Sequence, residues 1–225
     1  MERGFWMSWF NVNAALTSIR NFLQRWSSLI TNLNNNVRPS SIFECFSFIS
    51  IVEAYDSNGY SIQRRGPQSF FFKRSTRGIP NNYTYFLAAK ENEEYEIRLN
   101  QSYENASSIH FNLDVTISNG RDSLNRGILT HQNIHSFCEC KHYRTFYPST
   151  CANFIGLSRL VMPQNILWAP TNNYHPYPPP ALLVSGNASP DVFKLNNLVR
   201  IRNYHVRFFD NISPYGGNNV LRSWV

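Results

Sequence analysis

Five side chains able to ligate a soft metal crowd one short stretch: His135, Cys138, Cys140, His142 and Cys151. On an extended strand Cys138, Cys140 and His142 would share one face, a set zinc can use. Their spacing is not one of the strong CxxC forms, and strand rise spreads three such ligands over about 13 Å. Half-buried thiols beside solvent-facing imidazoles are the simpler expectation, with no metal site. Four cysteines in all are too few for a disulfide scaffold and suit a reducing compartment. A bridge from Cys151 to Cys138 or Cys140 would need an oxidising setting.

A second constellation is basic and aromatic. Arg64, Arg65, Lys73, Arg74 and Arg77 alternate with Tyr60 and Phe70-Phe71-Phe72. Phosphate contacts from the cations and base stacking on the rings could hold a nucleotide or a single-stranded nucleic acid. Lys73, Arg74 and Arg77 are the candidate nucleotide-binding residues; the competing expectation is a solvated edge with the phenylalanines in the core. The carboxylates Glu91, Glu93, Glu94 and Glu96 read as a solvated turn. No GxSxG, HExxH or P-loop is present. These observations point away from an enzyme.

A third feature is distributed. Seventeen of the 21 cationic side chains are Arg, against 14 acids, 12 Tyr and four Cys, and the net charge is +7 at pH 7. Arg keeps its charge in alkali, whereas Tyr and Cys become anions, so the net charge falls to roughly −8 near pH 10.5. Only 16% of residues are charged, while Asn numbers 28. Such a weakly self-repelling surface suits packing against copies of the same chain more than an acidic partner.

The elements that would carry these groups fall into two parts. Val12, Leu16, Ile19, Leu23, Trp26, Ile30 and Leu33 recur at steps of four and three, a heptad seam on one helix. Asn11 or Asn13 can cap it, and Asn34-Asn35-Asn36 before Pro39 ends it. The seam fits either a helix packed on its own domain or a projecting arm; its narrowness favours the arm, residues 1–38, whose Leu16, Ile19, Leu23, Trp26 and Ile30 bury against another subunit. Beyond Pro39 the pattern predicts strands. Residues 41–55 are apolar and β-prone, Asp56-Ser57-Asn58-Gly59 makes a turn, and residues 109–117 alternate strictly. Residues 154–161, 182–185 and 199–209 read as further strands. The expected fold is mainly β: an antiparallel β-sandwich over residues 39–225 bearing an N-terminal α-helix. No transmembrane span is expected, and no signal peptide.

Several segments, in order, resemble cypovirus polyhedrins. They are Val52-Glu53-Ala54-Tyr55-Asp56-Ser57-Asn58-Gly59, Tyr95-Glu96-Ile97-Arg98-Leu99-Asn100-Gln101-Ser102, residues 108–117, Phe154-Ile155-Gly156-Leu157-Ser158-Arg159, Leu182-Leu183-Val184-Ser185-Gly186, and Val192-Phe193 through Ile212-Ser213-Pro214. Each match is short; residues 170–180 look like an insertion. The resemblance implies a structural protein of viral occlusion bodies. Its trimers would form crystals in the cytoplasm of infected cells, embed virions and dissolve in the alkaline insect midgut. It implies no required cofactor, a possible bound nucleoside triphosphate, and partners limited to itself and viral particles, with neither membrane nor specific nucleic acid. Tyrosines ionising at contacts would drive dissolution, with Tyr174, Tyr177, Tyr204 and Tyr215 as candidates. The alternative expectation is a viral β-protein that binds nucleotide or single-stranded nucleic acid.

Overall fold

A computed structural model describes residues 10–25, 37–74, 78–105, 107–119, 128–130, 132–162, 178–201, 205–215 and 218–225. The chain runs α1 (Val12–Gln24), α2 (Pro39–Ser57), β1 (Ser61–Arg65), β2 (Tyr85–Lys90), β3 (Glu93–Glu104), β4 (His110–Asn119), β5 (Ile128–Thr130) and β6 (Ile134–Lys141). It continues with β7 (Thr145–Phe146), α3 (Pro148–Val161), β8 (Ala181–Val184), β9 (Asn187–Ala188), α4 (Pro190–Ile201), β10 (Arg207–Phe209) and α5 (Asn218–Arg222).

One mixed sheet organises these elements, in the order β1-β2-β3-β4-β6-β8-β10, with β5 paired to β3. Its first half is an antiparallel meander, while β6, β8 and β10 run parallel. Parallel neighbours need crossovers, and α3 and α4 lie in them. Among the described residues the other ladder is the two-residue pair β7–β9. The expected second sheet of a sandwich is therefore replaced by helices. One core lies between the sheet and α1 and α2, built on Ile97, Leu99, Val115, Ile117 and Cys138. The other gathers Leu113, Phe137, Leu182 and Val184 with Phe154 and Val161 of α3 and Val192 of α4.

Three strand expectations are corrected. Residues 41–55 lie in helix α2, which begins with Pro39 at its first turn. The segment is apolar all round because α1 covers one side and the sheet the other, and an apolar run of that kind looks alike as strand or helix. Residues 154–161 are helical in α3, again opened by a proline, Pro148. Residues 199–201 belong to α4, and strand resumes only at Arg207.

The N-terminal helix exists with its predicted cap: Ala14 N–H donates to Asn11 Oδ1 at 2.9 Å. It does not project. Leu16, Ile19 and Leu23 are buried in the core shared with α2. Arg25 fastens the two helices, donating to Glu53 at 2.9 Å and Asp56 at 3.1 Å. Trp26 and Ile30 lie outside the described residues. No helix among the described residues is long and apolar enough to cross a membrane.

Candidate active site

The ladder between β4 and β6 runs from Ser118 to Val115 on one strand and from Ile134 to Cys138 on the other. Past that point β6 pairs only with β8, through Lys141↔Val184. Asp114 stands where the ladder stops, and its carboxylate replaces the missing backbone partner: Cys140 N–H donates to Asp114 Oδ2 at 2.8 Å. Glu139 and Lys141 are two apart on β6 and so project from the same face. Lys141 Nζ donates to Glu139 Oε2 at 2.7 Å and lies 3.9 Å from Asp114 Oδ2. The other Glu139 oxygen, Oε1, is buried with no hydrogen-bond partner among the described residues.

A third carboxylate arrives from α2. Glu44 accepts from Asn100 Nδ2 at 3.3 Å, and the same amide donates to the Lys73 carbonyl at 2.8 Å. Asn100 lies opposite Asp114 in the β3–β4 ladder, between the pairs Leu99↔Val115 and Gln101↔Leu113, and its φ is 52°. Asn tolerates this left-handed backbone better than most residues.

The charges do not balance. Three carboxylates face one ammonium. Burial first, then the charge of Asp114, lifts Glu44 to about 7; the Asn100 hydrogen bond and Lys141 pull the other way. Burial first and then Asp114 likewise raise Glu139, against Lys141. Asp114 is raised by burial despite Lys141 and the Cys140 N–H. Burial alone would lower Lys141, but Glu139 and Asp114 outweigh it and hold the ammonium above its usual range. Like charges gathered out of water cannot all stay ionised without another cation.

The residues singled out from sequence are scattered by comparison. Cys138 and Cys140 are buried in the core under α2, while Cys151 lies in the opposite core with α3. All four cysteines are free. The His142 ring packs against Phe10 and Phe43, and His135 against Tyr95. Burial holds the Cys138 and Cys140 thiols well above their ordinary range, so neither offers a ready thiolate. Among the described residues no group of three or more His, Cys, Asp or Glu is placed to hold a metal ion. Lys73 is buried and Arg74 exposed, whereas Arg77 lies outside the described residues. Tyr215 is 74% exposed, and its hydroxyl accepts from Asn11 Nδ2 at 3.0 Å. Tyr174, Tyr177 and Tyr204 also lie outside the described residues. Glu96, read as part of a solvated turn, is instead 1% exposed and paired with Arg98.

Sequence reasoning missed Glu44, Asp114, Glu139 and Lys141. The usable signal was Glu139-x-Lys141, an acid and a cation on one face of an otherwise apolar strand, preceded by a strand carrying one acid, Asp114, amid alternating apolar residues.

No protein-family model matches this chain, and no curated protein does. Among solved structures, the cAAA-bound form of NucC from P. aeruginosa ATCC27853 is similar at 10% identity, over 83% of this chain and 70% of that one, with a TM-score of 0.35. A likeness that slight carries no argument.

Proposed function

We propose that this protein hydrolyses phosphodiester bonds in nucleic acid, using Asp114 and Glu139 to hold a divalent cation and Lys141 to steady the reacting phosphate. The observation that carries this reading is the meeting of Asp114, Glu139 and Lys141 where the β4–β6 ladder stops, with Glu139 Oε1 buried and unpartnered. An orphaned carboxylate oxygen beside a second carboxylate is what a hard cation needs. Mg²⁺ binds through one or two carboxylates and completes its shell with water and substrate phosphate, so a three-residue cage is not required. When bound, the cation neutralises phosphate charge and makes its water a stronger nucleophile.

The chain's own groups divide the remaining work. Asp114 and Glu139 hold their oxygens on adjacent strands. Lys141 would offer its ammonium to the phosphoryl oxygens, where negative charge grows during in-line attack. Glu44, at about 7, can accept a proton from water near neutral pH. A new P–O bond forms to water, whose proton passes to Glu44, as the bond to the leaving sugar oxygen breaks, and that oxygen takes up a proton from solvent. A net charge of +7 favours encounter with a polyanion.

The test uses labelled single- and double-stranded DNA and RNA, with Mg²⁺ or Mn²⁺ and with EDTA. Cation-dependent cleavage is expected, with D114N and E139Q slower by on the order of 10³-fold while still folded. Intact substrate under every condition overturns the reading.

A second reading, an occlusion-body protein packing into crystals, rests on the ordered segment matches. Tyr215 is the one candidate switch tyrosine among the described residues, and its exposure suits a contact position. Refractile cytoplasmic crystals that dissolve only in alkali would support that reading; their absence from cells rich in the protein would end it.

A further inference from the structure

The basic segment after Phe72 lies beside the carboxylates. Phe70 and Phe72 are buried, their rings 4.7 Å apart, and Phe72 also meets Phe48 of α2 at 6.2 Å. These anchors fix the backbone of the next residue, Lys73. Its carbonyl accepts from the Asn100 amide that also reaches Glu44, so a single side chain ties the segment to the site. The Lys73 side chain is 2% exposed and its Nζ has no hydrogen-bond partner among the described residues. Arg74 is exposed, and its guanidinium acts electrostatically on Cys45, the neighbour of Glu44 on α2.

An unpaired ammonium withdrawn from water is costly unless an anion answers it. We propose that Lys73 and Arg74 form a phosphate subsite beside the carboxylate centre, holding the phosphodiester next to the scissile one on a nucleic-acid strand. This rests on the hydrolytic reading for the word "scissile", but not for binding. Arg74 makes the contact at the surface with a planar fork suited to phosphate oxygens. Lys73 adds attraction from behind, where solvent screens it least. Burial first, and the nearby Arg98 second, lower Lys73 to about 8, so most of its charge remains at neutral pH. The Asn100 amide, which donates to both the Lys73 carbonyl and Glu44, sets the spacing between this subsite and Glu44.

The experiment separates binding from turnover. Anisotropy of a fluorescein-labelled oligonucleotide is measured against salt in EDTA, for the wild type, R74Q, K73M and the distant surface control K194Q. R74Q is expected to weaken binding about tenfold and to lower the slope of log K against log salt by about one. K73M should weaken binding in the same direction, and K194Q should change neither quantity. With Mg²⁺, R74Q should raise KM for the oligonucleotide but leave hydrolysis of bis(p-nitrophenyl) phosphate, which has one phosphodiester, at the wild-type rate. An unchanged slope in R74Q overturns the subsite, even where K73M fails to fold. So does an equal loss on both substrates. A wild type that binds with the expected R74Q defect, yet cleaves nothing with any divalent cation, upholds the subsite and removes the hydrolytic reading. Normal cleavage with an unchanged R74Q slope does the reverse.

Discussion

Two groups of charge are taken out of water in this fold, and they are built on opposite plans. On β3, Arg98 Nε donates to Glu96 Oε2 at 2.7 Å, with the two side chains 3% and 1% exposed. The guanidinium also donates to Asn81 Oδ1 at 3.2 Å and lies 3.5 Å from the centre of the Tyr85 ring. It is engaged on three sides and sealed. At the end of β4 and β6, Asp114 and Glu139 share Lys141 while Glu44 feels its charge only through space, and one buried oxygen has no partner among the described residues. The first pair is complete, and the second leaves a carboxylate oxygen open, as the proposed cation site requires. Burial alone does not separate them, since Glu139 is only 7% exposed.

Breaking the sealed pair should give the largest effect. Removing one partner of a buried pair costs about 3–5 kcal/mol, because the other charge is left stranded. In E96Q the stranded group is Arg98, with Lys73 near enough to repel it. The expected loss is about 6–20 °C in Tm for a chain of this size. Cleavage per folded molecule should be unchanged. A folded E96Q that has lost cleavage would abolish the distinction between the clusters, and circular dichroism melts beside activity assays decide it.

An apolar control sharpens the contrast. Ile19 is fully buried between α1 and α2, far in character from either charge cluster. I19A should cost about 2–5 kcal/mol. The loss should be the same at pH 5 and pH 8, because no titrating group is removed. A loss that varies with pH would show that the helix pair and the acid cluster are coupled.

The same helix shows what was legible in the sequence. The seam Leu16, Ile19 and Leu23 and the Asn11 cap gave the helix, because period and cap chemistry are local. Which surface the seam meets is not local: α2 was hidden, since residues 41–55 bury every face and leave no amphipathic period to see. Without α2 the seam has no partner in the chain, and a projecting arm follows. The strands at residues 110–119 were plain from alternation. The site was not, because its acids come from α2, β4 and β6, brought together only by a register no sequence rule supplies. Lys73 and Arg74 were singled out on charge, yet their tie to Glu44 depends on the left-handed backbone and bridging amide of Asn100.

The gentlest test of the comparison asks whether the open cluster is strained at rest. Glu44 titrates near 7 when folded and near its ordinary 4.5 when unfolded. Between those values the folded state binds more protons, so stability falls as pH rises from about 4.5 to about 7 and is flat beyond. Burial and Asp114 cause this, opposed by Asn100 and Lys141. E44Q keeps an oxygen to accept from Asn100 but never ionises. It should match the wild type at pH 4 and melt higher at pH 8 in EDTA. After a discount for partial exposure the gain is about 1 kcal/mol, or about 2–4 °C. Glu96 predicts the opposite sign for its own Gln variant at the same pH. A carboxylate whose removal stabilises the fold is held there for something other than stability. If E44Q and E96Q both melt lower at pH 8, the open cluster is merely a second structural pair.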